Sequence, residues 1–195
     1  MLIKLFLLLG LISNIVWVFP VYIQRKGRYS AFFTYMAIAA LLEIITKYAG
    51  FTNYMNFVVV FFLVLLAYSI IYPRPHDKVH YPVLFLGFVL VGLLLLLRNH
   101  AIELSCIIIE CLIIVGALLR RLIIETTVTH SFSLFTSVLL FNELSMIMRA
   151  FFALTRTNVG IKFYVFSLLF EMVCGMFFMV FSEENSRLSI RIKSE

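Results

Sequence analysis

The sequence predicts an all-α fold: a polytopic membrane helix bundle with seven transmembrane helices and short loops. Hydrophobic residues make up 63% of the 195 residues and charged residues only 13%, whereas soluble domains average about 45–50% and about 25%. The mean hydropathy is +1.07. So few charges could not cover the surface of a soluble domain, but a bundle in lipid needs apolar residues on its outside as well as its inside.

Seven apolar segments approach or exceed the length that crosses a bilayer as a helix. They cover about 2–23, 29–48, 57–72, 83–97, 101–119, 129–153 and 159–181. Most of the basic residues lie in short groups at the ends of these segments, which is typical of membrane proteins. We therefore expect one seven-helix transmembrane domain over residues 1–181 and a short polar cytoplasmic tail over residues 182–195.

The first two segments carry signals of their own. Lys4 precedes a leucine-rich run as in a signal peptide, but apolar character continues past Trp17 without a small-residue cleavage site. We expect an uncleaved spanning helix with Pro20 near its end. In the second segment Glu43 and Lys47 are one turn apart, in the order that favours an i,i+4 ion pair.

The loop over residues 73–82 contains three prolines, which predict an exposed, non-helical turn. His76 and His80 are four residues apart in it, a spacing that suggests a metal site only on a helix, so no metal is predicted. The following segment, 83–97, has no polar side chain. It is expected to be the most lipid-exposed helix.

The fifth and sixth segments carry most of the buried polar residues. Glu103 and Glu110 are two turns apart and share one face of the fifth segment. This segment is expected to end at Arg120 and Arg121. Residues 123–125 belong either to a turn or to an extended helix. The sixth segment has two predicted polar stripes, with Glu143 on neither: Thr126, His130, Ser133 and Ser137 form one, and Asn142, Ser145 and Arg149 form the other.

Charged residues near the middle of these segments define the candidate site. A charge at the bilayer centre costs roughly 2.5–3.5 kcal/mol, so it is expected to be protonated, paired or hydrated. Arg149 is the expected counter-charge for Glu171 or Glu43 on a neighbouring helix, and Glu171 is preferred. The alternative is that these residues only tie helices together. The candidate ligand or ion site comprises Glu110, Asn142, Glu143, Arg149, Glu171 and His130.

No motif of a hydrolase, a metalloprotease or a nucleotide-binding loop occurs. His130 near Ser133 imitates a base and nucleophile, but serines commonly bond backbone carbonyls in membrane helices. We therefore predict a non-enzyme without a cofactor. The net charge of +6 does not indicate nucleic acid, because the basic residues do not form one face. The three cysteines lie within apolar segments and are interpreted as buried thiols.

Two families with seven helices invite comparison. Retinal proteins need a lysine midway along the last helix, where this chain has Phe170 and Glu171. The run from Phe19 to Tyr22, followed by basic residues, resembles the PQ-loop transporters. Val21 replaces the defining glutamine and no second copy of the run follows, so the resemblance assigns no function.

Ten of the sixteen Lys and Arg residues fall on the side of the tail if the chain crosses seven times. The positive-inside rule then predicts an outside N-terminus and a cytoplasmic C-terminus in an inner or plasma membrane. The predicted function is a sensory or accessory module that acts through a small ligand, a membrane protein partner or a second copy. The alternative is a small transporter or channel subunit that moves protons, cations or a small solute. No internal repeat or broken helix is visible, which favours the module.

Overall fold

The computed structural model describes residues 2–51, 54–72, 77–157, 159–185 and 188–191. Within these ranges it contains eight helices and two short strands. The helices are α1 (Leu2–Val18), α2 (Pro20–Gln24), α3 (Ser30–Tyr48), α4 (Met55–Ile71), α5 (Asp77–Leu97), α6 (His100–Val128), α7 (Leu134–Leu154) and α8 (Gly160–Val180), and the strands are β1 (Ser131–Ser133) and β2 (Ser189–Arg191).

The long helices form a bundle, which confirms the predicted fold class. Helices α1, α3, α4, α6, α7 and α8 each pack against the next in that order, and α8 packs back against α1, so they form a closed ring. Helix α5 packs on the outside of α4, and α2 packs against α3 and α8. In the described part, five helices are long and apolar enough to cross a membrane, whereas α1 and α4 are apolar but shorter.

The two ends of the bundle differ. The tail end holds the turns at 25–29 and 129–130, together with β1 and the segment after α8. There β1 and β2 pair antiparallel, with Phe132 opposite Ile190. The far end holds the turns at 49–51, 98–99 and 155–157, where Asn56 of α4 donates a hydrogen bond to Glu103 of α6 over 2.8 Å.

An aromatic core fills the bundle near the tail end. Phe33 of α3 lies 5.1 Å, centroid to centroid, from Phe178 of α8, which in turn lies 4.9 Å from Phe135 of α7. Tyr29 stacks on Phe135, and Trp17 of α1 closes the cluster against Phe178. These five side chains are buried, so packed aromatic rings fill the centre of the bundle near the tail end.

The boundary between the fifth and sixth predicted segments was wrong. Arg120 and Arg121 do not close α6, which continues to Val128. The chain turns instead at His130, whose φ of 47° lies in the left-handed region and interrupts the helix. Helix α7 begins only at Leu134, so Thr126 and His130 do not share a helical stripe with Ser133 and Ser137.

The predicted turn over residues 73–82 was also partly wrong. Helix α5 already begins at Asp77 and contains Pro82. Because Pro82 is the sixth residue of the helix, its missing N–H deprives only the carbonyl of Lys78, in the first turn, of a partner. His76 lies outside the described residues. His80 is part of the helix and stacks on Tyr35 at 6.4 Å between centroids.

At the start of the chain, one continuous helix to Ile23 was expected, but α1 ends at Val18. Pro20 begins α2, in the first helical position, where a proline costs no internal hydrogen bond. Helix α5 is the least buried of the five long apolar helices, as its composition predicted. Leu94 and Gly87 are buried exceptions on this helix, and only 2% of the surface of Leu94 is exposed.

Candidate functional site

An ion pair between α7 and α8 forms the centre of the candidate site. The guanidinium of Arg149 donates two hydrogen bonds to the carboxylate of Glu171, of which the bond from Nη1 to Oε2 measures 3.1 Å. This is the contact that the sequence predicts. The side chains are 22% and 14% exposed. Two parallel donors fix the geometry more firmly than a single contact does.

Helices α1 and α3 add polar groups beside this pair. Lys47 Nζ lies 3.6 Å from Glu43 Oε2, so the predicted i,i+4 pair is present. The amide of Asn14 donates to the same Glu43 oxygen over 3.3 Å. Glu43 and Lys47 both lie near enough to Glu171 to interact with it electrostatically. The polar residues of four ring helices therefore form one network.

Glu143 and Asn142 continue the network along α7. They are 1% and 2% exposed. The Asn142 amide donates to Glu143 Oε1 over a long 3.5 Å, and Glu143 interacts electrostatically with Glu171 and Arg149. Glu143 Oε2 and Asn142 Oδ1 have no hydrogen-bond partner among the described residues. We call Asn14, Glu43, Lys47, Asn142, Glu143, Arg149 and Glu171 the polar core.

The charges of the polar core do not balance. It contains three carboxyl groups, on Glu43, Glu143 and Glu171, but only two cations, on Lys47 and Arg149. Like charges in a low-dielectric interior repel strongly, so the arrangement favours a proton or an added cation on one carboxyl group. Buried oxygens without a partner, as on Glu143, are where such a proton or cation would be held.

Two of the predicted site residues lie outside the polar core. Glu110 is buried on α6, and neither of its oxygens has a hydrogen-bond partner in the described part of the chain. It interacts electrostatically with the neighbouring thiols of Cys106 and Cys111. His130 is exposed in the turn after α6. From the sequence, His130 was expected on the same helix as Asn142 and Arg149. The turn at His130 separates it from α7, which begins at Leu134.

The polar core extends from the middle of the bundle toward the far end. Arg149 is five residues before the end of α7, and Glu171 is eleven residues after the start of α8, so they lie roughly 8 and 16 Å from that end at 1.5 Å per residue. A groove of about 330 Å³ between α1 and α3 reaches Asn14 and Lys47. The opposite half is closed by the aromatic core.

A second polar cluster lies at the tail end, and nothing in the sequence indicated it. Gln24 is 1% exposed and donates to the carbonyls of Phe178 and Phe181 over 2.9 and 2.7 Å. Glu183 accepts a hydrogen bond from Arg121 over 2.8 Å and one from the backbone N–H of Arg28 over 2.8 Å. These contacts tie the segment after α8 to α2, to the turn before α3 and to α6.

Arg121 also lies over the ring of Tyr29, 4.4 Å from its centroid. Burial raises the pKa of Tyr29 to about 12, although the nearby Arg121 cation acts in the opposite direction. The phenol is therefore neutral at physiological pH and shares a 3.4 Å hydrogen bond with Thr136 at the start of α7.

The fold and its apolar helices define the chain as a helical, multi-pass protein embedded in a membrane. Comparisons with protein-family models, with curated proteins and with solved structures find no match. In the described part of the chain, no group of three or more histidine, cysteine or acidic side chains is placed to hold a metal ion.

Proposed function

We propose that the protein is a membrane sensory or accessory module whose polar core binds a proton or a small cation from the far end. The observation that carries this proposal is the asymmetry of the interior. Charged groups extend from the middle of the bundle toward the far end, and packed aromatic rings fill the interior near the tail end. A binding site reached from one side suits a sensor, because a channel needs a continuous polar path.

The tail end suits the output of such a module. Glu143 and Arg149 lie on the same helix as Phe135, and Glu171 lies on the same helix as Phe178. A change of charge in the polar core would alter how α7 and α8 pack, and these two helices carry the aromatic core. Gln24 binds the carbonyl of Phe178, so the response would extend to the segment after α8.

The alternative, a small transporter or channel subunit, is favoured by one observation. The polar core links four ring helices and has one carboxyl group more than it has cations. Such a site can load and release a proton if the aromatic core opens. Transport and sensing therefore differ in whether that core opens.

The test uses the full chain in lipid nanodiscs. Hydrogen exchange of residues 181–185 and 188–191 is measured at acidic and neutral pH. We expect the protection of these amides to change with pH in the native protein and to become pH-independent in Glu143→Gln. Glu103→Gln is the matched control, because Glu103 is a buried carboxyl group outside the polar core. Unchanged protection in the native protein would contradict the sensor.

Two further measurements complete the test. Proton flux in proteoliposomes that disappears in Glu143→Gln would establish the transporter instead. Labelling of Arg28→Cys, in the turn before α3, tests the orientation. We expect modification from the cytoplasmic side, and labelling from the outside would place the polar core toward the cytoplasm.

A further inference from the structure

Two adjoining cavities open at the far end, away from the polar core. The smaller one, of about 350 Å³, lies between the end of α5, the start of α6 and the end of α7. The larger one, of about 670 Å³, lies between the start of α4 and the same part of α5 and α6. Arg98 and His100 line both cavities, and Arg156 lines the smaller one.

The smaller cavity has a lining of mixed character. Among the described residues, its polar side chains are Arg98, Asn99, His100 and Arg156, and none of its lining residues carries a carboxylate. Leucine and alanine side chains from α5, α6 and α7 form the rest of the lining. A cationic rim on an apolar wall, at the end of a membrane bundle, is the environment of a lipid headgroup and its first methylenes.

The two arginines hold unusual positions. Each follows the C-terminus of a helix, and their φ angles of 44° and 52° lie in the left-handed region, which costs a non-glycine residue free energy. Neither Arg98 nor Arg156 has an ion-pair or hydrogen-bond partner among the described side chains. A cation after a helix C-terminus stabilises the helix dipole, but this does not explain why two of them line one cavity.

The acidic group of the adjoining larger cavity is already engaged. Glu103 lines only the larger cavity, where it accepts a hydrogen bond from Asn56 over 2.8 Å and lies 3.5 Å from His100 Nδ1. The cations of the smaller cavity are therefore available to an external anion. Guanidinium groups recognise phosphate oxygens by paired hydrogen bonds, which a lysine cannot reproduce.

We propose that the smaller cavity binds a phosphate group, of the kind carried by an anionic lipid headgroup or by a free phosphate ion. Arg98 and Arg156 supply the charge, and His100 and Asn99 supply further polar contacts. This site is separate from the polar core and does not depend on the proposed function.

The test measures the thermal stability of the detergent-solubilised full chain against added ligand. The probes are phosphatidylglycerol, phosphatidylcholine and inorganic phosphate. The test variant is Arg98→Gln with Arg156→Gln. The matched control is Arg25→Gln with Arg120→Gln, which removes two exposed arginines near the tail end. The single variant Arg156→Gln is measured in parallel, in case the double variant fails to fold.

We expect phosphatidylglycerol to stabilise the protein at a lower concentration than phosphatidylcholine does. Loss of both arginines should raise that concentration roughly tenfold or more, and the control should not change it. Stabilisation by inorganic phosphate, lost in the same variant, would support the site and assign it to a soluble anion. Equal effects of the two lipids without a phosphate effect, or equal losses in test variant and control, would overturn the proposal.

Discussion

Removing Glu171 should show how strongly the bundle depends on its central ion pair. In Glu171→Gln, the guanidinium of Arg149 keeps its burial but loses its negative partner. Breaking a fully buried pair from one side costs about 3–5 kcal/mol, and an exposed pair contributes about 0–1 kcal/mol. With side chains 14% and 22% exposed, we expect the free energy of unfolding to fall by about 2–3 kcal/mol.

A double-mutant cycle gives this prediction its specificity. Arg149→Gln leaves the carboxylate unpaired and should also destabilise the protein, whereas the double variant removes both charges. We expect the double variant to lose less than the sum of the single losses, by about 1.5–2 kcal/mol. The free energy of unfolding of all four proteins is measured in mixed micelles that contain an increasing fraction of denaturing detergent. Lys162→Gln, an exposed cation on α8, is the control for loss of charge alone.

Three outcomes would count against this reasoning. Losses that add within experimental error would mean that the two side chains do not contact each other energetically. A Glu171→Gln variant as stable as the native protein would mean that Glu171 is itself the neutral carboxyl group of the polar core. A Glu171→Leu variant that is stable and unaltered in pH response and in flux would leave only a packing role for this residue.

Three further predictions concern packing and pH. Val89→Leu on the exposed α5 should change the free energy of unfolding by less than about 0.5 kcal/mol, and a large loss would place this helix in a protein contact. Gly175→Ala should destabilise by about 1–3 kcal/mol, because the new Cβ would lie 2.7 Å from Val16 Cγ1; Gly92→Ala, with nothing within 4 Å, is its control. Tyr29 ionises about two pH units later when folded than when unfolded, so its contribution of about 3 kcal/mol is fully present below about pH 10 and is lost as pH rises toward about 12. The free energy of unfolding should therefore fall less steeply with rising alkaline pH in Tyr29→Phe than in the native protein. Identical dependence on pH in the two proteins would contradict the burial argument.

Composition and residue spacing determined most of the architecture. The apolar runs predicted the helices because a chain in lipid must satisfy its backbone within each segment. Spacing alone also predicted the pair between Glu43 and Lys47, since side chains four residues apart are neighbours on one face of a helix. Contact between Arg149 and Glu171 was predicted from energetics, because each was too deep to reach water alone.

Only the tertiary structure decided where α6 ends and which helices meet. Arg121 looked like a helix terminus, but its guanidinium pairs with Glu125 and Glu183 and lies over the ring of Tyr29, so the helix can continue past it. His130 was assigned to the candidate site by its spacing, but the left-handed turn at that residue places it outside the polar core. The closed ring, the aromatic core and the role of Gln24 depend on contacts between residues far apart in the chain. Such contacts leave no periodic signal in a single sequence, because burial and pairing are properties of the packed helices and not of any one segment.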